Sequence, residues 1–321
     1  MRTGQNPAKF IDKVGRPERI TVAVVTYIPF LAGYFAEGLQ VLQLCLDSLR
    51  RNTEEPFDLL VFDNGSAAEV VSYLEASHAR NEIDFLVLSA TNLGKGGAWD
   101  FVFAAAPGEI VAYADGDVSF ETGWLTRALA ILETFPRVGM VSSRPLRTDP
   151  ALSGASLRWA ETDPEATLER GTFISWETFR EHDLNLGQPE HDVRQRFEDT
   201  QDVRLRYRGA QALVGAVHWQ FVARKDVLTT LLPLSLDRPM GQVRALDARL
   251  NDAGYLRLMT TEPLVRHLGN VVPQEHRAAM GLARLRVPSG GRGVPWLLDW
   301  PPVRRFLLGV HNRIFRWYFR S

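Results

Sequence analysis

The sequence predicts an α/β fold, a mostly parallel twisted sheet flanked by helices, and two observations predict it. Continuous apolar runs of strand length alternate with segments of helical periodicity through Leu132. Each run also ends in glycine or a polar residue, where an open parallel sheet gathers a ligand site. Composition agrees: 45% hydrophobic and 23% charged residues are ordinary for a globular chain and argue against a disordered or fibrous one.

The elements follow in order. Ile20 to Val25 (ITVAVV) is a β-branched run, the pattern of a strand buried on both faces. Gly38 to Arg50 carries Leu42, Cys45, Leu46 and Leu49 at helical spacing, so one face packs inward. Asp58 to Phe62 is a short strand ending at the turn signal Asp63-Asn64-Gly65. The spacing of Ser66 and Glu69 predicts a capping box for a helix bearing Val70, Val71 and Leu74. Phe85 to Leu88, a glycine-rich turn and helix over Asn92 to Ala105, Ile110 to Ala114, and a helix through Leu125, Ala128, Leu129 and Leu132 extend the alternation. Strands joined through helical crossovers are parallel.

Several function classes fall away. Lys plus Arg number 37 against 38 Asp plus Glu, a net charge of -1, so no bulk field recruits nucleic acid. The one cysteine, Cys45, supports neither a disulfide framework nor a cysteine zinc site. Residues 1–19 are polar and lack the apolar core of a secretory signal, and the most apolar window, Ile20 to Ala36, is broken by Pro29 and Gly33. These features predict a cytoplasmic protein without a membrane span.

The strand ends present, in order, Thr26, Asp63, Asn92 to Gly97, and Asp115 with Asp117, which suggests one nucleotide or phosphate site. Asp115-Gly116-Asp117 sets two carboxylates one glycine apart where an apolar strand stops. Such oxygen ligands suit Mg²⁺ or Mn²⁺, although Asp-Gly is also a common turn dipeptide. Lys95 sits in a glycine-rich turn before a helix, where amides and an ammonium can face a phosphate; the alternative is a solvated turn lysine.

Four pieces taken together, Val24-Val25-Thr26-Tyr27, Val61-Phe62-Asp63-Asn64-Gly65-Ser66, Asn92-Leu93-Gly94-Lys95-Gly96-Gly97-Ala98 and Asp115-Gly116-Asp117, resemble the family 2 glycosyltransferases over roughly residues 20–270. The resemblance implies a GT-A fold, a Rossmann-like nucleotide-binding half fused to an acceptor-binding half. It implies a nucleotide-diphosphate sugar donor (UDP-, dTDP- or GDP-linked), inverting transfer to an acceptor hydroxyl, and a divalent metal, Mn²⁺ or Mg²⁺. Thr26, Tyr27, Asp63, Asn92, Gly94, Lys95, Asp115 and Gly116 then hold the nucleotide sugar, with Asp63 on the base or ribose. Asp117 binds the metal, Asp115 the ribose or metal-bound water, and His267, which follows a short apolar segment as the family's late histidine does, completes the metal site.

The second half is less regular. Pro145 to Arg208 is polar, reads as an irregular acceptor insertion, and scatters Trp159, Trp176, His182 and His191 among charges. Trp176 is a sugar-stacking candidate or a packing residue, and the two histidines read as surface residues. Leu213 to Arg224 reads as a glycine-led strand, with His218 and Trp219 lining the acceptor side or simply alternating between faces. Arg244 to Leu250 resembles the helix of the family's catalytic carboxylate, yet the usual acidic pair falls near Gln242 and Val243. Asp247 is the nearest carboxylate and the expected general base, with Asp237 in reserve; its other reading is an ion pair with Arg244 on the same helix.

The expected organisation is an extension over 1–19, a nucleotide-sugar half over 20–145, an acceptor and catalytic half over 146–290, and a basic amphipathic tail over 291–321. In the tail, Val303, Phe306, Leu307, Val310, Ile314, Trp317 and Tyr318 recur at helical spacing among arginines. That pattern serves either peripheral contact with the inner face of the cytoplasmic membrane, which would suit a lipid-linked acceptor, or docking on the chain's own domain. No Gln-x-x-Arg-Trp motif of processive synthases is present, so a single addition is expected, in polysaccharide, glycolipid or secondary-metabolite glycosylation. The alternative, prompted by the missing acidic pair, is a catalytically degenerate sugar-nucleotide-binding or scaffold protein.

Overall fold

The computed structural model describes residues 3–185, 188–234, 242–284 and Arg313. Residues through Pro273 form one unit, and a second begins at Gln274 with a single helical turn, Gln274–Arg277.

The first unit opens with the expected alternation: β1 (Ile20–Thr26), α1 (Gly38–Asn52), β2 (Asp58–Asp63), α2 (Ala68–Ala79), β3 (Phe85–Leu88), α3 (Gly94–Ala105) and β4 (Ile110–Asp115). A short β5 (Val118–Phe120), α4 (Trp124–Thr134) and β6 (Val138–Ser142) follow. Then come α5 (Gly154–Thr162), β7 (Thr167–Gly171), α6 (Trp176–Asn185), α7 (Glu190–Asp199), β8 (Asp202–Tyr207) and β9 (Ala210–Val214). The unit closes with β10 (Gln220–Arg224), α8 (Lys225–Thr230), α9 (Gln242–Asp252), β11 (Leu256–Met259) and β12 (Val265–His267).

Ten strands form one sheet in the order β3-β2-β1-β4-β10-β6-β11-β9-β8-β7. The first four run parallel, β10 lies antiparallel between β4 and β6, and β11 returns parallel to β6. The α/β class read from the sequence is the one observed, and the sheet runs unbroken through both halves of the chain.

Successive residues of β1 point to opposite faces, and both faces are covered. Val22 and Val24 pack with Leu42, Leu46 and Leu49 of α1, while Ala23 joins Trp99 and Phe103 of α3, Tyr113 of β4 and Phe221 of β10. This explains why β1 and β4 read as continuous apolar runs: neither face meets water.

Three expectations need correction. The Ser66 hydroxyl accepts from Ile28 N at 2.8 Å, so it ties down the loop after β1, and α2 starts behind Ala67 without a side-chain cap. The strand read over Leu213 to Arg224 is two strands, because the chain breaks at Gly215, whose φ of +127° favours glycine. A side chain there would also lie 2.5 Å from Thr148 Oγ1. The polar stretch after Pro145 carries regular elements, α5, α6, α7, β7 and β8; Phe179, Val193, Leu205 and Tyr207 contribute to its core, and α7 is otherwise mostly exposed. The tail helix expected around 303–320, by contrast, lies outside the described residues except for Arg313.

Among the described residues no helix is long and apolar enough to cross a membrane. A small ribbon pairs β5 with β12, setting Val265 opposite Phe120 and His267 opposite Val118. That register delivers His267 to the end of β4.

The seat of α9 on the sheet depends on one glycine. A Cβ at Gly139 of β6 would lie 2.7 Å from Leu250 Cδ2 and 2.7 Å from Tyr255 Cβ. Gly139→Ala should therefore destabilise the fold by about 1–3 kcal/mol through overpacking, lowering the urea midpoint at constant slope. An unchanged midpoint would show that α9 shifts freely.

Candidate active site

A cleft of about 310 Å³ opens at the carboxyl ends of β1 and β4, between the loop after β1 and the segment after β12. The parallel register aligns its walls: Thr26 is level with Asp63, and Val25 with Asp115. Asn64 N donates to Thr26 O at 2.9 Å and Gly116 N donates to Val25 O at 2.9 Å, so the three strand ends are knitted together. A Cβ on Gly116 would meet Thr26 Cβ, Thr26 Oγ1 and Leu42 Cδ1 at 3.2 Å each. Glycine at this point lets the Asp115–Asp117 turn lie flat against β1.

Thr26, Tyr27, Asn92, Lys95, Asp115, Gly116 and Asp117 all line the cleft, as expected. Asp63 is placed differently. It is 1% exposed, and its Oδ2 accepts from Gly65 N at 3.2 Å and Ser66 N at 3.0 Å, holding the turn after β2. Its neighbour Asn64 takes the place in the cleft wall. The Asn64 amide accepts from Leu93 N at 2.8 Å and donates to Asn92 Oδ1 at 3.0 Å and Gly94 O at 3.2 Å, binding the turn after β2 to the start of α3. Gly94, expected to face the donor, thus serves this junction, with φ at +69°.

Lys95 is not a solvated turn lysine. Its side chain is 10% exposed and its Nζ lies 2.6 Å from Asp115 Oδ2, 5.2 Å from the Trp99 ring centre and 5.8 Å from that of Tyr113. The Tyr113 hydroxyl donates to Asp115 Oδ1 at 2.5 Å. Burial and the adjacent Asp115 carboxylate push the Tyr113 phenol well above its ordinary range, so it remains a proton donor. Both oxygens of Asp115 are therefore engaged, by an ammonium and by a phenol.

Asp117 is arranged otherwise. Its Oδ2 lies 3.3 Å from His267 Nε2, and its Oδ1 is buried without a hydrogen-bond partner. Desolvation pushes the Asp117 carboxyl up, His267 pulls it down, and Asp115 adds to the rise. Leu268 N donates to Asp117 O at 2.7 Å, fixing the strand of His267 beside the turn. An orphaned carboxylate oxygen beside an imidazole nitrogen is a mixed donor pair that fits a divalent cation. Among the described residues no group of three or more His, Cys, Asp or Glu is gathered for a metal, so protein donors supply only part of a coordination shell.

His267, His218 and Trp219 do not line the cleft itself; behind Asp117, His267 and Trp219 belong to an aromatic cluster. Trp219 lies 5.5 Å from the His267 ring, and His182 stacks on Trp219 at 6.0 Å with the planes 21° apart. His182 is thus no surface residue; burial, with the neighbouring His267 and Arg144, pushes its imidazole down to about 4. His218 is likewise pushed down to about 4, first by burial and then by Lys95, so both rings are neutral at pH 7. His191 is exposed, as expected. Trp176 takes its packing role, 5.3 Å from Phe197 and covered by Arg194 at 4.8 Å.

Asp247 is 6% exposed and does not line the cleft. It pairs not with Arg244, which reaches Asp149 at 3.1 Å, but with Arg257 of β11 at 2.8 Å. Burial pushes the Asp247 carboxyl up to about 6 against the pull of Arg257. Asp237 lies outside the described residues.

Tyr34, Tyr113, Asn64 and Asn270 line the cleft without having been read as site residues. Tyr113 carried a usable signal, since it precedes Asp115 by two residues on one strand and so shares its face. Tyr34 and Asn270 carried none, being joined only by the fold, through Asn270 Nδ2 to Tyr34 O at 2.9 Å.

Residues 34–183 match the family model Glycosyl transferase family 2. An uncharacterized glycosyltransferase of Nostoc sp. is 29% identical over 103 residues, 31% of this chain and 31% of the relative's length. Among solved structures, S. aureus TarS 1-349 is 15% identical with a TM-score of 0.44, covering 77% of this chain and 59% of its own. The mannosyltransferase PcManGT from Pyrobaculum calidifontis, in complex with GDP-Man and Mn²⁺, is 18% identical with a TM-score of 0.44, covering 78% and 58%. GalNAc-T7 with UDP, GalNAc and Mn²⁺ is 11% identical with a TM-score of 0.49, covering 78% and 44%. The chain spans less than a third of its curated relative and less than two thirds of each of these solved chains. The matched residues carry α1 through most of α6 and include the Asp115–Asp117 turn.

Proposed function

We propose that the chain is a glycosyltransferase that binds a nucleoside-diphosphate sugar in this cleft and transfers the sugar, with inversion, to an acceptor hydroxyl. The observation that carries this reading is the unpartnered Asp117 Oδ1 beside His267, set next to the Lys95–Asp115 pair inside the matched region. Thr26, Tyr27, Asn64 and Asn92 take the nucleoside end, and Asp115, oriented by Lys95 and Tyr113, takes the ribose. Bound by Asp117 and His267, Mn²⁺ or Mg²⁺ would neutralise the charge that grows on the departing diphosphate, and the imidazole favours Mn²⁺. Lys95 adds a fixed positive charge to the same region, in a site shaped before the reaction begins.

His218 and Trp219 stand on the acceptor side of this scheme. Asp247 is the carboxylate assigned as base, and raised to about 6 it is matched to proton transfer near neutrality, but to take the acceptor proton it has to leave Arg257 and reach the cleft, which it does not line. A lipid-linked acceptor in cell-envelope polysaccharide or glycolipid assembly, met at the inner face of the cytoplasmic membrane, suits the basic aromatic sequence near 303–320. A second reading, a nucleotide-sugar-binding protein without transfer, is favoured by one observation: Asp247 is closed into an ion pair with Arg257, whose side chain is 1% exposed.

Thermal unfolding with UDP, dTDP or GDP, each with Mn²⁺, Mg²⁺ or EDTA, tests the donor site. A ligand at 100 times its Kd adds about 2.7 kcal/mol. One nucleotide should raise Tm in a metal-dependent manner, and Asp117→Ala should abolish that dependence. No shift with any pair would refute the donor site.

Asp247→Asn should cut kcat by about 10²- to 10⁴-fold while keeping the nucleotide-dependent Tm shift; normal turnover would leave Asp247 a structural ion pair. Asp247→Ala should cost about 3–5 kcal/mol of stability, because it strands the buried Arg257 charge. The folded state holds the Asp247 proton more tightly than the unfolded chain, where an ordinary Asp titrates near ~3.9. Its contribution is complete below that value and is lost as pH rises through about 6. Relative to Asp247→Asn, the wild type should lose stability across that window.

A further inference from the structure

β12 is three residues long and pairs only with β5, itself three residues long. So short a ribbon is a weak support for an imidazole that must face Asp117. The support comes instead from α6. Neighbouring residues Glu181 and His182 on α6 meet neighbouring residues Arg266 and His267 on β12. Glu181 Oε1 lies 2.6 Å from Arg266 Nε, and its Oε2 accepts from Arg144 Nη2 at 2.7 Å. Arg144 is buried and also donates to Val265 O at 3.0 Å and Thr178 O at 3.1 Å, riveting helix to strand. The His182 ring meets His267 edge-on at 6.2 Å, and the two share Trp219 as a common wall. Trp219 is itself anchored to the turn, its O accepting from Asp115 N at 2.9 Å.

We propose that Glu181 and His182 are positioning residues for the metal end of the cleft: through Arg266 and the ring contacts they aim the His267 imidazole at Asp117, and through the same contacts metal binding is felt by α6. The proposal rests on Asp117 and His267 holding a divalent metal. Groups that orient a metal ligand typically change metal affinity by about 10- to 100-fold when removed. A coupling of this kind is reciprocal, so ordering the metal site also orders α6.

The test titrates Mn²⁺ into the 321-residue chain, with and without UDP or GDP, and follows free Mn²⁺ by electron paramagnetic resonance. His182→Ala and Glu181→Gln should weaken Mn²⁺ binding by about 10- to 100-fold, and His182→Phe, which keeps a ring against Trp219 and His267, should recover most of the loss. Amide exchange over residues 176–185 should slow on Mn²⁺ addition in the wild type and stay unchanged in Asp117→Ala. Melting curves in EDTA identify any variant that fails to fold; if Glu181→Gln does, by weakening the hold on buried Arg144, the His182 pair decides. Wild-type Mn²⁺ affinity in folded His182→Ala would overturn the clasp while leaving the metal site standing. No Mn²⁺ binding by the wild type, or binding that survives Asp117→Ala, would overturn the metal-site reading and the clasp with it.

Discussion

Two carboxylates two residues apart, at the end of a strand buried on both faces, cannot both be left uncompensated. The structure answers this constraint asymmetrically. Asp115 has one partner on each oxygen, the Lys95 ammonium and the Tyr113 phenol, whereas Asp117 is met on one side by His267 and keeps one buried oxygen free of partners. Much of the surrounding architecture follows. The glycine-rich start of α3 brings Lys95 inward, and the β5–β12 ribbon brings His267 back from 150 residues further along the sequence than Asp117. One carboxylate becomes a fixed hydrogen-bonding surface, and the other retains the capacity to bind.

The second half of the chain solves a similar problem with arginine. Asp202 holds Arg147 at 2.6 Å while accepting from Phe173 N at 2.7 Å and Ile174 N at 2.8 Å, and Asp247 holds Arg257. Buried pairs of this sort contribute little net stability, but losing one partner is costly. They fix where polar segments join the sheet, and this is why a stretch with few apolar residues is nonetheless ordered. Glu181 plays the same part between α6 and β12, and so this helix and the Asp117–His267 pair share one set of contacts.

The first half was legible because its chemistry is local. Strands of β-branched residues, helices with one apolar face, and turns of glycine and aspartate each follow from neighbours in sequence, and parallel strands align their ends without further instruction. Asp115, Asp117, Lys95, Asn92 and Thr26 could therefore be placed at one cleft from spacing and resemblance. Asp63 shows the limit of that reasoning. Whether it or Asn64 faces the cleft depends on which side chain the turn after β2 consumes, and backbone amides two and three residues ahead capture Asp63. Ser66 likewise had two possible partners, and the loop after β1 took it from the helix.

The sequence by itself determined the α/β class, the order of the first elements, the strand-end site and its two carboxylates, since these depend on periodicity and turn chemistry over a few residues. Tertiary structure alone decided that Lys95 pairs with Asp115 while Asp117 keeps an unpartnered oxygen, that His182 lies against Trp219 and His267, and that Asp247 faces Arg257 rather than Arg244. The physical reason is that each depends on the burial of a charged or aromatic group against a partner tens to more than a hundred residues away, or, for Asp247 and Arg257, across a strand boundary. Which partner a buried group finds is set by the register of the sheet, and no spacing within the chain encodes it.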